Sequence, residues 1–104
     1  MSAAAACRGS TAAGGSGPNA NVVIARQAGK NCVSVCASTY YKSCDAEVSL
    51  FGSIGKATGY KVVGSFYNYG CNSPHTWGDE VKAKESASID GGAGYISYCC
   101  CRMP

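Results

Sequence analysis

Eight cysteines hold most of the chemical capacity of this 104-residue chain: Cys7, Cys32, Cys36, Cys44, Cys71, Cys99, Cys100 and Cys101. Sulfur at this density can form bridges, bind a soft metal or run redox chemistry. The even count, the single histidine and the lack of a CxxC pair favour bridges involving all eight. Structural zinc prefers two tight cysteine pairs. Cys32 and Cys36 supply one such pair, but the run at Cys99–Cys101 makes an awkward second. We therefore expect disulfides and assign no metal and no other cofactor.

Adjacent cysteines cannot pair without strain. Cys99, Cys100 and Cys101 are thus expected to reach three different parts of the chain. Cys32, Cys36, Cys44 and Cys71 are the natural acceptors. Cys7 is left for whichever cysteine remains, within a chain or between chains. The spacing selects no single pairing map.

His75, in CNSPHTWGDE, is the one candidate general base. A Cys71–His75 nucleophile pair needs a free thiol of low pKa, and a bridged Cys71 would exclude it. The plainer reading is a solvated loop histidine after Pro74. Asp79 and Glu80 are adjacent and should diverge, which makes a poor carboxylate dyad. No catalytic residue is assigned, and the chain reads as non-enzymatic.

Seven tyrosines and Trp77 are the remaining candidates. Each carries an apolar body and a polar tip, which suits interfaces. A flat row of such rings also suits sugars, and Trp77, Tyr67 and Tyr69 are the candidate glycan-binding residues. The alternative is that several are half-buried in a core short of Leu and Phe.

Those residues need elements to position them. Residues 1–20 are a low-complexity tail of Ala, Gly, Ser and Thr, which alone cannot bury enough apolar surface to fold. The tail is expected to be extended and to dock on its own domain or on a neighbouring copy, with Ala3, Ala5, Cys7, Ser10 and Thr11 as interface residues. The body, 21–104, opens with a strand at Val22–Ala25. Asn31 caps a short helix that places Cys32 and Cys36 on one face. Val48, Leu50, Phe51 and Ile54 predict a second helix after Cys44, with Asp45 and Glu47 at its N-terminus. Residues 60–69 alternate as a strand, with Gly64 a possible bulge. Residues 70–94 read as loop apart from a short polar stretch at 79–87. Gly91-Gly92-Ala93-Gly94 turns into a last strand, YISYCCCR, whose alternation puts Cys99 and Cys101 on one face and Cys100 on the other. The expected fold class is α+β: a small disulfide-rich domain with an antiparallel sheet and one or two short helices.

Large aliphatic residues are few. Ordering each residue costs roughly 1.5 kcal/mol, so the core alone leaves folding near balance, and bridges tip it. Net charge is +3 with scattered Lys and Arg, which lacks the basic stripe of a nucleic-acid binder. No apolar run approaches the ~18 residues of a membrane span. MSAAAACRGS lacks the basic start and apolar run of a signal peptide. Persistent disulfides require an oxidising compartment, so we expect an extracellular chain and a sequence that is processed or partial. There is no N-glycosylation sequon. Ser2, Ser10, Thr11 and Ser16 could carry O-linked sugars.

The stretch GKNCVSVCASTYYKSCDAEVSL, with a mid-chain cysteine and a terminal CCCR, resembles short cysteine-rich extracellular domains of algae and other single-celled eukaryotes. The match falls on Gly29, Cys32, Val35, Cys36, Cys44 and Cys99–Arg102, across roughly residues 22–102. Asn31 stands where that pattern has Ser, and Tyr40-Tyr41 where it has Gly. The resemblance implies secretion and a cell-surface or matrix role, and it implies no catalytic residue.

The leading expectation is an extracellular structural subunit that assembles with copies of itself through residues 1–20. The alternative is a secreted carbohydrate-binding or adhesive module using Trp77 and the tyrosines. A defence peptide acting on membranes follows, and an enzyme using His75 comes last.

Overall fold

The last strand of the chain is one of the two inner strands of the sheet. The computed structural model describes residues 3–9, 22–26, 30–55, 61–72 and 90–103. Its elements are α1 (Ala3–Gly9), β1 (Val22–Ala25), α2 (Cys32–Ala37), β2 (Ser43–Gly55), β3 (Lys61–Tyr69) and β4 (Ala93–Arg102). The four strands form one antiparallel sheet in the order β1-β4-β2-β3. This is the disulfide-rich α+β domain that the composition predicts. The division at residue 20 falls outside the described residues.

β4 pairs with β1 on one side and with β2 on the other, for example Cys99 with Ile24 and with Glu47. Because strand side chains alternate between faces, β4 sends Cys99 and Cys101 to one face and Cys100 to the other. α2 sits on the first face and α1 on the second, so the sheet is clasped between two short helices.

α2 starts as the sequence indicates. The Asn31 side chain accepts a hydrogen bond from the Ser34 backbone N–H at 2.9 Å, satisfying one of the orphan donors of the first turn. Cys32, Val35 and Cys36 form its buried stripe.

α1 corrects the expectation of an extended tail for residues 3–9. Alanine has the highest helix propensity, and Arg8 in the last turn suits the helix dipole. Seven residues are too few for an isolated helix in water. The helix holds because Ala6 and Cys7 pack into a buried cluster with Ala46, Val48 and Cys100 of the sheet.

β2 is the second correction. The stretch after Cys44 is a thirteen-residue strand, not a helix. Val48, Leu50 and Ile54 fit a two-residue period as well as a helical one. Pairing with β3 along Glu47–Gly55 and with β4 along Ser43–Ser53 decides between them. Three serines and two glycines within β2 weaken the helical alternative. Asp45 and Glu47 therefore cap nothing. Asp45 stands at the register shift between Cys44 and Ala46, the one irregularity in the β2–β4 ladder.

Gly64 is not a bulge, since the β2–β3 register is continuous. It lies opposite Gly52, which lies opposite Gly94. A Cβ on Gly52 would come within 2.6 Å of the Gly64 Cα, and one on Gly94 within 2.7 Å of Ile54 Cγ1. The glycine row lets the β2 and β3 backbones approach and leaves room for Ile54, which packs with Val62 and Ile96. The turn before β4 is shorter than expected: Gly91 takes φ +81°, while Ala93 and Gly94, read as part of the turn, already belong to β4 and pair with Ser53 and Gly52.

Candidate functional site

All eight cysteines are bridged, as Cys7–Cys100, Cys32–Cys99, Cys36–Cys101 and Cys44–Cys71. The three consecutive cysteines do reach three different places. Cys7 takes Cys100 within the same chain, and two expected acceptors, Cys44 and Cys71, join each other. Cys99 and Cys101 fix α2 by its two i, i+4 cysteines, and Cys100 fixes α1 on the opposite face. Cys44–Cys71 ties the start of β2 to the residues just beyond β3.

Six of the thirteen buried apolar residues among those described are cysteines, each at most 1% exposed. Sulfur takes the place of the missing aliphatic core. A bridged sulfur is not a thiolate nucleophile, so Cys71 does not activate through His75.

Beneath α2 the sheet carries charge. Arg26 and Glu47 are both buried, with Arg26 Nε 3.1 Å from Glu47 Oε1. That same Glu47 oxygen lies 3.5 Å from Cys32 Sγ. At the bulge, Asp45 Oδ1 is 3.5 Å from Nε of the partly exposed Arg102. Buried charges persist only when paired, and these pairs anchor β1 and the end of β4 to β2. Neither pair is visible in sequence spacing, because each joins residues more than twenty positions apart.

Further along the same face the sheet becomes aromatic. Ser49 pairs with Ser97 on one side and Tyr67 on the other, and Phe51 pairs with Tyr95. The Ser49 and Ser97 hydroxyls, both buried, hydrogen-bond to each other. The Phe51 and Tyr95 rings lie 4.5 Å apart between centroids, tilted by 34°. Ser49, Phe51, Tyr67, Tyr69 and Tyr95 line a cleft of about 180 Å³. Phe51 is 36% exposed and Tyr67 50%.

Thus Tyr67 and Tyr69, two of the candidate glycan-binding residues, converge on one cleft. Trp77, His75, Asp79 and Glu80 lie outside the described residues. Phe51 and Ser49 were missed as cleft residues, since a helical β2 would have turned Phe51 inward. The signal that finds them is the two-residue step from Glu47 through Ser49 to Phe51.

Of the candidate interface residues, Ala3 and Ala5 are half-buried on their own sheet. Cys7 is 1% exposed and bridged within its own chain. Ser10 and Thr11 lie outside the described residues. Among the described residues no strand lies beyond β3, and no helix is long and apolar enough to cross a membrane. No group of three or more His, Cys, Asp or Glu side chains among them is arranged to hold a metal.

Comparison with protein-family models, curated proteins and solved structures finds no match to this chain. Four disulfides in so small a domain are consistent with an oxidising, extracellular setting.

Proposed function

We propose that this chain is a secreted structural subunit that assembles head-to-tail with copies of itself into an extracellular filament or matrix. The observation that carries the proposal is the seat of α1. A helix too short to stand alone is bridged to a residue 93 positions away. Residues 10–21, which lie between α1 and β1 in the sequence, are mostly Gly, Ser, Ala and Asn. The same helix can occupy the same seat on the next subunit. Every contact is then kept, and the Cys7–Cys100 bridge passes between chains.

Exchange of an identical element is a low-cost route to association. A head-to-tail contact that does not close on itself gives an open filament. Among the described residues no strand lies beyond β3, and an open strand edge is a template for another chain, which supports a second contact there. The cysteine pattern's resemblance to extracellular domains of single-celled eukaryotes points the same way.

The test is to mix unlabelled and ¹⁵N-labelled protein under reducing conditions, reoxidise, and map peptides without reduction. Hybrid-mass peptides joining Cys7 to Cys100 are expected, together with a ladder of reducible oligomers. The Cys7→Ser variant should abolish the ladder. A monomer with only single-isotope Cys7–Cys100 peptides overturns the proposal.

A further inference from the structure

We propose that Glu47 accepts the thiol proton of Cys32 when the Cys32–Cys99 bridge closes, so that the chain carries its own base for that oxidation.

A buried carboxylate is laid against this bridge. Glu47 Oε1 lies 3.5 Å from Cys32 Sγ, and Glu47 pairs across the β2–β4 ladder with Cys99. All three residues are at most 1% exposed. In the bridged state the contact is not a hydrogen bond, because the sulfur carries no proton. Before closure Cys32 is a thiol, which donates. The carboxylate oxygen then stands where that proton leaves.

The chemistry calls for such a group. Disulfides form by attack of a thiolate, and an ordinary thiol is mostly protonated at neutral pH. With α2 seated, Cys32 is closed to solvent, so its proton needs an acceptor inside the site. Arg26 completes the arrangement. Its Nε is 3.1 Å from the same Glu47 oxygen, and its charge offsets the repulsion between the carboxylate and a forming thiolate. Its Nη1 donates to Lys30 O at 3.4 Å, one residue before the Asn31 cap. One guanidinium thus ties the start of α2, and Cys32 with it, to Glu47.

The step balances with a low-molecular-weight disulfide, such as glutathione disulfide, as the oxidant. Exchange at Cys99 gives a Cys99–glutathione disulfide and releases one glutathione. Cys32 Sγ then attacks Cys99 Sγ as its proton passes to Glu47 Oε1. The Cys32–Cys99 bond forms and the Cys99–glutathione bond breaks. The second glutathione leaves as a thiolate and takes the proton from Glu47, which restores the carboxylate. Two cysteine thiols are oxidised and one glutathione disulfide is reduced.

The reduced chain is reoxidised with glutathione disulfide, quenched with acid at intervals, and its bridges are mapped by mass spectrometry. Glu47→Gln keeps the size of the side chain and removes the base. It should slow closure of Cys32–Cys99 about tenfold or more and leave closure of Cys44–Cys71 unchanged. Glu47→Asp, which retains a carboxylate, should recover most of the rate. A second measurement does not depend on how Glu47→Gln folds. Cys99→Ala leaves Cys32 as a thiol, and its infrared S–H stretch should fall below that of free cysteine in water, as a hydrogen bond to a carboxylate requires. The proposal is overturned if Glu47→Gln closes Cys32–Cys99 at the unsubstituted rate or faster, or slows both bridges alike. It is also overturned if the S–H stretch is no lower than that of free cysteine. Assembly through α1 does not enter these readouts, so either idea can fail alone.

Discussion

Cys99 and Cys100 are neighbours in the chain and hold opposite sides of the molecule. Cys99 bridges to Cys32 on α2, and Cys100 bridges to Cys7 on α1. A single peptide step in a strand reverses the side-chain direction, so one short run of sulfur pins a helix to each face. Because β4 lies between β1 and β2, both helices are fixed to one of the two inner strands.

The bridges should differ in worth by the loops they close, not by their sequence separations. With Cys32–Cys99 intact, Cys7–Cys100 closes only the stretch from Cys7 to Cys32 and the step from Cys99 to Cys100, much like the 27-residue separation of Cys44–Cys71. Cys36–Cys101 closes a far shorter ring, from Cys32 to Cys36 and from Cys99 to Cys101. Replacing both cysteines by Ser should therefore cost about 3.5 kcal/mol for Cys7–Cys100 and for Cys44–Cys71, and about 2 kcal/mol for Cys36–Cys101. Guanidinium titration of the three double variants gives the order. A cost for Cys36–Cys101 equal to the others would contradict it.

Glu47 tests the charged layer under α2. Glu47→Ala leaves the Arg26 guanidinium buried without its carboxylate, which should cost about 3–5 kcal/mol. Replacing both members by apolar residues, Arg26→Met with Glu47→Leu, should restore much of that loss. Thermal unfolding of the single and double variants reads the coupling, and strictly additive losses would show the pair to be uncoupled.

The serine pair offers a neutral counterpart. Ser49→Ala strands the buried Ser97 hydroxyl and should cost about 1–3 kcal/mol. Adding Ser97→Ala should cost little more, or recover stability, because the orphaned group is gone. Urea midpoints across the four proteins of the cycle decide it.

The glycine row should be intolerant of even one carbon. Gly52→Ala and Gly64→Ala each push a Cβ into the backbone of the paired strand, where nothing can rotate away. Each should cost at least the roughly 1–3 kcal/mol of an overpacked core. Gly55→Ala, whose Cβ would meet nothing closer than Lys61 O at 3.8 Å, is the matched control and should be nearly silent. Equal melting temperatures for Gly52→Ala and Gly55→Ala would contradict the close approach.

Much of the local structure is legible in the sequence. Asn31 before Cys32 and Cys36 gives a capped helix with a sulfur face. Val22–Ala25 and Lys61–Tyr69 carry strand character, and the parity of Cys99, Cys100 and Cys101 divides them between faces. These features depend on propensity and period over a few neighbouring residues, which the order of side chains contains outright. The same local evidence is ambiguous at β2, where Val48, Leu50, Phe51 and Ile54 satisfy two periods at once. It is weak at α1, where a run of alanine has propensity but too little length.

Tertiary structure decided what depends on distant partners. Ladders to β3 and β4 made β2 a strand and turned Phe51 out to meet Tyr95, Tyr67 and Tyr69. Cys7 chose Cys100 because α1 covers the face that Cys100 points to. Arg26 found Glu47 because β4 lies between β1 and β2. The covalent bill of materials, eight sulfurs for a thin core, belongs to the sequence. Which sulfurs meet, and which rings gather in one cleft, follows from strand order, because contacts between residues tens of positions apart are set only when the whole sheet closes.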